Sequence, residues 1–252
     1  MAQNVNDTPA VVWNDVRKTF PDGHEALGGV SLSVSKGEVL ALLGTSGSGK
    51  TTLLKTVNRL IDPTSGTVNV HGKPTSEWDP IALRRSIGYV IQAVGLMPHL
   101  SVLANVTLVP KLLGTPRAER EKRGSELLEI VGLEPARYAN RRPRELSGGQ
   151  RQRVGVARAL AADPSLILMD EPFGALDPVT RRELQAEFRS LQTRLGKTVI
   201  IVTHDTSEAV RMGDRLALMD KGRLVQVGTA DDFRQRPATD FVRSFFEQAV
   251  TS

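Results

Sequence analysis

Two short stretches carry side chains whose type and spacing suit phosphate chemistry. The first, Gly44-Thr45-Ser46-Gly47-Ser48-Gly49-Lys50-Thr51, fits the pattern G-x-x-x-x-G-K-[ST] and continues into Thr52. Glycines let a backbone take unusual dihedrals and approach a ligand closely. Successive N–H groups then form a nest for phosphate oxygens, and the positive end of a following helix adds attraction for an anion. Lys50 supplies a point charge for the β- and γ-phosphates, and the Thr51 hydroxyl supplies a ligand for Mg2+. The second stretch is Asp170-Glu171. A carboxylate at Asp170 suits the same metal, held through water, and one at Glu171 suits taking a proton from an attacking water.

Such groups work only where backbone elements deliver them. The apolar run Val39 to Leu43 reads as a strand buried on both faces, and Leu53, Leu54 and Val57 after Lys50 have helical spacing, so the loop falls between a strand end and a helix start. Leu166 to Met169 is a second buried strand, bringing Asp170 to the sheet's C-terminal edge, where open α/β sheets bind ligands. Ile87 to Ile91 leads to Gln92, and Thr198 to Thr203 leads to His204. Alternation at Val11 to Val16, Ser31 to Val34 and Thr67 to Val70 predicts a short antiparallel sheet bracketing the loop.

From Ser101 to Arg137 the pattern is mostly helical and includes a charged helix over Arg117 to Val131, with Leu127, Leu128 and Val131 inward. Gln152 to Ala162 and Pro178 to Leu195 are further helices, the latter with Leu184, Phe188, Leu191 and Leu195 on one face and Gly196 at its end. Arg215 to Met219 is a strand, Gly222 to Val227 its hairpin return, and Asp231 to Gln248 a helical tail anchored by Phe233, Phe241, Val242, Phe245 and Phe246. Strands alternating with helices predict an α/β fold with a mostly parallel sheet, an N-terminal antiparallel β-subdomain and an inserted helical subdomain. The expected division is a core of residues 1–92 and 161–252 around a helical segment of residues 93–160, in one domain.

Composition narrows the class. Among 252 residues, 40% are hydrophobic and 24% charged, a globular balance. The excess of 33 basic over 28 acidic side chains suits an anionic partner without choosing nucleic acid, membrane surface or phosphate ligand. The absence of cysteine excludes disulfides and thiolate metal sites. No apolar run approaches the ~18 residues that a membrane span needs. The N-terminal residues MAQNVNDTPA are polar and lack a signal-peptide core, so the expectation is a protein inside the cell, held at a membrane only by a partner.

Leu146-Ser147-Gly148-Gly149-Gln150 resembles the LSGGQ signature of the ATP-binding cassette ATPases, and the resemblance runs from about Val11 to Glu247. It implies a P-loop NTPase (RecA-like) core, ATP and Mg2+, and a head-to-tail homodimer. Each ATP would lie between one subunit's Lys50 loop and the other's Ser147, Gly148 and Gly149, with Gln150 opening the helix behind them. Phe20 resembles the aromatic that stacks on adenine. Gln92 resembles the Q-loop glutamine that senses Mg2+ and the γ-phosphate, His204 the switch histidine that contacts that phosphate, and Ala175-Leu176-Asp177 the D-loop. The apolar stretch Val94 to Leu100 resembles the surface that receives a short helix from a membrane-embedded partner.

The resemblance implies integral-membrane permease subunits and a solute-binding protein as partners and no nucleic acid, with this chain held at the cytoplasmic face of the membrane through its partners. Ile87 to Gln92 with Gly95 to His99, and Met169 to Pro178, are similar to the ATPases of quaternary-amine importers, which take up osmoprotectants such as glycine betaine and choline. Ala93 departs from the glutamine common there, and the expectation is that no paired regulatory domain follows the cassette. Competing readings are the ATPase of another small-solute importer, a cassette ATPase acting on nucleic acid in repair or translation, and a regulatory or membrane-maintenance module. The long coiled-coil insertions, zinc modules or second cassette usual in the nucleic-acid class are missing from the sequence. An intact Glu171 and His204 argue against a module that only binds nucleotide.

Overall fold

A computed structural model describes residues 8–92, 95–174 and 176–247. The described residues fall into two units, one within Met1–Leu83 and Gly196–Ser252, the other within Arg84–Leu195.

The first unit opens with β1 (Val11–Thr19), β2 (Glu25–Val34) and β3 (Val39–Gly44), then α1 (Lys50–Val57), β4 (Ser65–Val70), β5 (Lys73–Pro74) and α2 (Pro80–Ser86). The alternating strands form an antiparallel sheet in the order β2-β1-β4-β5. Its inward face is Val11, Trp13 and Val16, and the Trp13 indole N–H donates to Thr56 Oγ1 at 3.0 Å, fastening this sheet to α1. Helix α2 is absent from the sequence reading; it buries only Leu83, too little apolar periodicity to announce a helix.

The second unit contains β6 (Ile87–Val90), α3 (Val102–Val106), α4 (Leu108–Leu112), α5 (Arg117–Ile130), α6 (Pro135–Tyr138), α7 (Gly148–Leu160), β7 (Leu166–Asp170) and α8 (Pro178–Leu195). Strands β6 and β7 are parallel, Ile87 opposite Leu166 and Val90 opposite Met169. Leu127, Leu128 and Val131 are buried, as are Leu184, Phe188 and Leu191, while Leu195 is half-buried. Helix α7 starts earlier than the pattern of apolar residues does. Its first turn is Gly148-Gly149, poor helix formers that a reciprocal cap between Ser147 and Gln150 holds in helical geometry.

The chain then returns to the first unit with β8 (Thr198–Val202), α9 (Thr206–Met212), β9 (Arg215–Asp220), β10 (Arg223–Gly228), α10 (Ala230–Gln235) and α11 (Asp240–Glu247). Within this unit the strand order is β10-β9-β3-β8. Strand β3 is parallel to both β8 and β9, and β10 returns antiparallel. Every residue of β3 is buried, as a strand flanked on both sides requires, and its end at Gly44 opens onto the phosphate loop. The tail expected as one helix is two, because Pro237 pushes Arg236 out of helical dihedrals, to φ −137 and ψ 56. Phe233, Val242 and Phe246 are buried anchors; Phe241 is exposed.

Candidate functional site

The first unit carries the phosphate loop. Gly44 has φ +144, and a Cβ there would lie 2.2 Å from the Met219 carbonyl oxygen of β9. Gly49 has φ +97, and its Cβ would lie 2.5 Å from the Ala26 carbonyl. Both positions therefore exclude any side chain. The loop passes from buried Gly44 through exposed Thr45, Ser46 and Gly47 to buried Ser48. Lys50 is 6% exposed, and its ammonium donates to Gly44 O at 2.9 Å, Thr45 O at 2.7 Å and Ser48 Oγ at 3.3 Å. Helix α1 begins without a side-chain cap on its first N–H groups, the arrangement that leaves a helix start open to an anion. Thr51 and Thr52 are half-buried in its first turn.

Two more residues singled out from the sequence lie in this unit. Phe20 follows β1 at the turn into β2, half-buried. Its ring stacks on His24 with centroids 6.5 Å apart, and the Lys18 ammonium stands 5.3 Å from its centre. An aromatic with a cation beside it suits a base's π-face. His204 is exposed just past the end of β8, between buried Thr203 and the Asp205 that caps α9.

The second unit carries the carboxylates. Asp170 ends β7 and is 4% exposed. Burial and the Asp170 carboxylate both push the Tyr89 phenol well above its usual pKa. The next residue, Glu171, has φ +46, a left-handed backbone that costs a non-glycine residue about 1 kcal/mol or more and that recurs at functional sites. Gln92 reaches it: its Nε2 donates to Glu171 Oε2 at 3.0 Å. The sequence suggests a sensor at Gln92 and a base at Glu171 without linking them, and in the structure the two are hydrogen-bonded.

Ser147 caps α7. Its Oγ accepts the Gln150 N–H at 3.2 Å, and Gln150 Oε1 accepts the Ser147 N–H at 3.0 Å. Gln150 also donates from Nε2 to Tyr138 Oη at 3.1 Å, so its side chain fixes the turn's shape. A Cβ on Gly148 would meet nothing within 4 Å, whereas one on Gly149 would approach Thr180 Cγ2 at 3.0 Å. Asp177 caps α8 by accepting the Val179 and Thr180 N–H groups at 3.2 and 3.0 Å, and a bond from the Thr180 side chain, ahead of these N–H bonds, holds its carboxyl below the usual range. Ala175 of the expected D-loop, and Ala93 and Val94 of the expected docking stretch, lie outside the described residues. Of that stretch, Met97, Pro98 and His99 are exposed.

Each unit carries a residue whose oxygen suits Mg2+. Among the described residues no group of three or more His, Asp or Glu side chains could hold a metal on its own. Mg2+ is usually bound through one or two protein oxygens together with phosphates and water, and the Thr51 hydroxyl and Asp170 carboxylate are oxygens of that kind. The second unit's cleft of 540 Å³, lined by Pro110, Leu113, Arg120 and Asp163 among others, holds none of the residues chosen from the sequence. Two that the sequence reading passed over, Thr203 and Glu208, flank His204; the signal for them was Asp205-x-x-Glu208, the spacing of a helix-capping box.

A buried parallel strand feeding a glycine loop with an enclosed lysine, together with a carboxylate pair at the end of another buried strand, defines a phosphate-loop nucleotide-binding protein of α/β class. The chain belongs to the ABC transporter family, whose sequence profile matches residues 27–174. It is 52% identical to the choline transport ATP-binding protein OpuBA of Bacillus subtilis over 92% of this chain and 60% of that protein. It is 48% identical to the glycine betaine uptake system ATP-binding protein YehX of Escherichia coli over 94% of this chain and 76% of that protein. The chain spans about three fifths of the length of the first curated relatives it matches. Among solved structures, the dimeric post-hydrolysis state of the ATP-binding cassette MJ0796 bound to ADP and Pi superposes with a TM-score of 0.78 at 38% identity, covering 87% of this chain and 98% of that one. The fold is thus the ABC ATPase fold expected from the sequence. Among the described residues no helix is long and apolar enough to cross a membrane.

Proposed function

We propose that the chain is the ATP-hydrolysing subunit of a membrane importer. The observation that carries this reading is Glu171: a carboxylate next to the buried Asp170, on a left-handed backbone, with its oxygen held by Gln92. The left-handed backbone and the hydrogen bond from Gln92 fix the direction of this acid, which suits a general base.

In this reading Glu171 takes a proton from the water whose oxygen bonds to the γ-phosphorus, while the bond to the β-phosphate oxygen breaks. Gln92 and His204 orient that water and the γ-phosphate. Lys50 and the N–H groups of Gly44 to Thr52 hold the phosphates, and Phe20 stacks on the adenine. Bound Mg2+ would neutralise charge on the β- and γ-phosphate oxygens, with Thr51, Asp170 and Gln92 as the groups that hold or sense it.

The second half of each site comes from another copy. Ser147, Gly148, Gly149 and Gln150 would close on the γ-phosphate bound by a partner's Lys50 loop, with Asp177 at the seam of a head-to-tail homodimer. The open space at Gly148 supports this, because nothing among the described residues requires a glycine there. So does the dimeric state of MJ0796 with ADP and Pi. Residues 93–160 would act as a helical lobe on a core of residues 1–92 and 161–252.

Transport needs partners that cross the membrane. A groove of about 280 Å³ lined by Arg84, Arg85, Tyr89, Met97, Leu108 and Val109 would receive side chains from a short helix of a permease subunit. The protein would then work at the cytoplasmic face of the membrane, supplied by a solute-binding protein. The names of the relatives support a quaternary-amine osmoprotectant, such as glycine betaine or choline, as the solute. The test is Glu171→Gln: it keeps ATP binding and loses at least about a hundredfold in phosphate release, accumulating as an ATP-bound dimer. Wild-type turnover in that variant removes the general base from the scheme.

A further inference from the structure

The junction of β8 and α9 contains a buried acid that the hydrolytic scheme leaves without a task. Glu208, in the first turn of α9, is 4% exposed, and so small an opening is unusual for a carboxylate without a structural or chemical reason. In a capping box, a glutamate at this position reaches back to accept the N–H of the capping residue. Here the reach runs through a third residue. The Asp205 N–H donates to Thr203 Oγ1 at 3.0 Å, and the Thr203 hydroxyl donates in turn to Glu208 Oε2 at 2.5 Å. The box closes on its other side where Asp205 Oδ1 accepts the Glu208 N–H at 3.0 Å. Thr203 is tied to the sheet as well, its N–H donating to the Leu42 carbonyl of β3 at 3.1 Å.

One residue lies inside this ring of bonds: His204. The residue before it, Thr203, is bonded to the buried Glu208 carboxylate and to the central strand that leads into the phosphate loop, and the residue after it, Asp205, is bonded to the Thr203 hydroxyl and to the Glu208 N–H. An O–H···O contact of this length to a carboxylate is of the strong, charge-assisted kind. We infer that Thr203 and Glu208 are positioning residues that fix the backbone on both sides of His204 and so aim its imidazole at the γ-phosphate. The inference rests on the hydrolytic role given to His204 above. The histidine's value in that role depends on where its ring points, and a solvent-exposed loop left to itself would spread that direction over many conformers.

The purified full chain is assayed for phosphate release with ATP and Mg2+, and the amide exchange of Asp205 is followed separately by hydrogen–deuterium exchange. Thr203→Val, which keeps the side chain's shape and loses its hydroxyl, lowers kcat about tenfold with KM for ATP within about twofold. Thr203→Ser restores turnover, and Glu208→Ala repeats the loss. In a His204→Ala background, Thr203→Val causes no further loss, because its effect passes through the histidine. The Asp205 amide exchanges faster in Thr203→Val with or without nucleotide. Wild-type turnover in Thr203→Val alongside a crippled His204→Ala overturns the inference, and so does a full additional loss when the two are combined. If His204→Ala alone hydrolyses like wild type, the reading of His204 is what fails, and unchanged Asp205 exchange in Thr203→Val would dismiss the clamp as well.

Discussion

The turn at Gly44–Lys50 and the turn at Ser147–Gln150 both set glycines at the start of a helix, and they use them for opposite reasons. At Gly44 and Gly49 a side chain would collide with the carbonyls of Met219 and Ala26, and both residues have positive φ. Those glycines are demanded by the chain's own packing. At Gly148 the space is empty to 4 Å, and the residue is helical, where glycine costs up to ~1 kcal/mol relative to alanine. The loop is also fastened from within, by an almost fully buried lysine bonded to two of its carbonyls, whereas Ser147 and Gln150 cap each other, Gln150 reaches on to Tyr138, and Gly148 between them stays exposed. A crowded glycine reports on the fold. An open one in a helix, held there against its propensity, reports on something that must approach from outside.

Substitutions can break that contrast. Gly44→Ala carries the largest effect: with a Cβ placed 2.2 Å from Met219 O, it destabilises the protein by more than about 3 kcal/mol, read as a collapse of the denaturant midpoint or as insoluble expression. A Gly44→Ala protein as stable as wild type would mean the loop can re-route, and the distinction between the turns would vanish. Gly148→Ala goes the other way. It leaves stability unchanged or raises it by up to about 1 kcal/mol, and lowers ATP turnover about tenfold by crowding the approaching nucleotide. Undiminished turnover would show that the open space serves no ligand. Ser147→Ala lowers stability by about 1 kcal/mol through the lost cap, measured by the shift in melting temperature. Its turnover should fall further than that stability loss explains if the hydroxyl also meets phosphate.

Sequence alone revealed the parts of the site that are local in the chain. The loop, its strand and its helix are contiguous, and β3 and β7 announce themselves because strands buried on both faces read as unbroken apolar runs. What escaped was set by contacts distant in sequence or by caps. The bond from Gln92 to Glu171 joins residues 79 apart, and no spacing rule reaches that far. The start of α7 was placed late because Gly148 and Gly149 look like loop; the serine and glutamine that cap it give the only local sign of a helix. The left-handed backbone of Glu171 has no signature in residue type, since glycine or asparagine is the usual occupant. The break at Pro237 was legible in principle, and the apolar spacing of Phe233 to Phe246 masked it.

That left-handed glutamate has a consequence for engineering. Any survey of replacements scored on thermal resistance alone would favour Glu171→Gly, which relaxes the torsion and removes the acid in the same step. With Glu171 as the proposed base, selection for a sturdier subunit, left unchecked, would therefore move toward a protein that grips its fuel and never burns it.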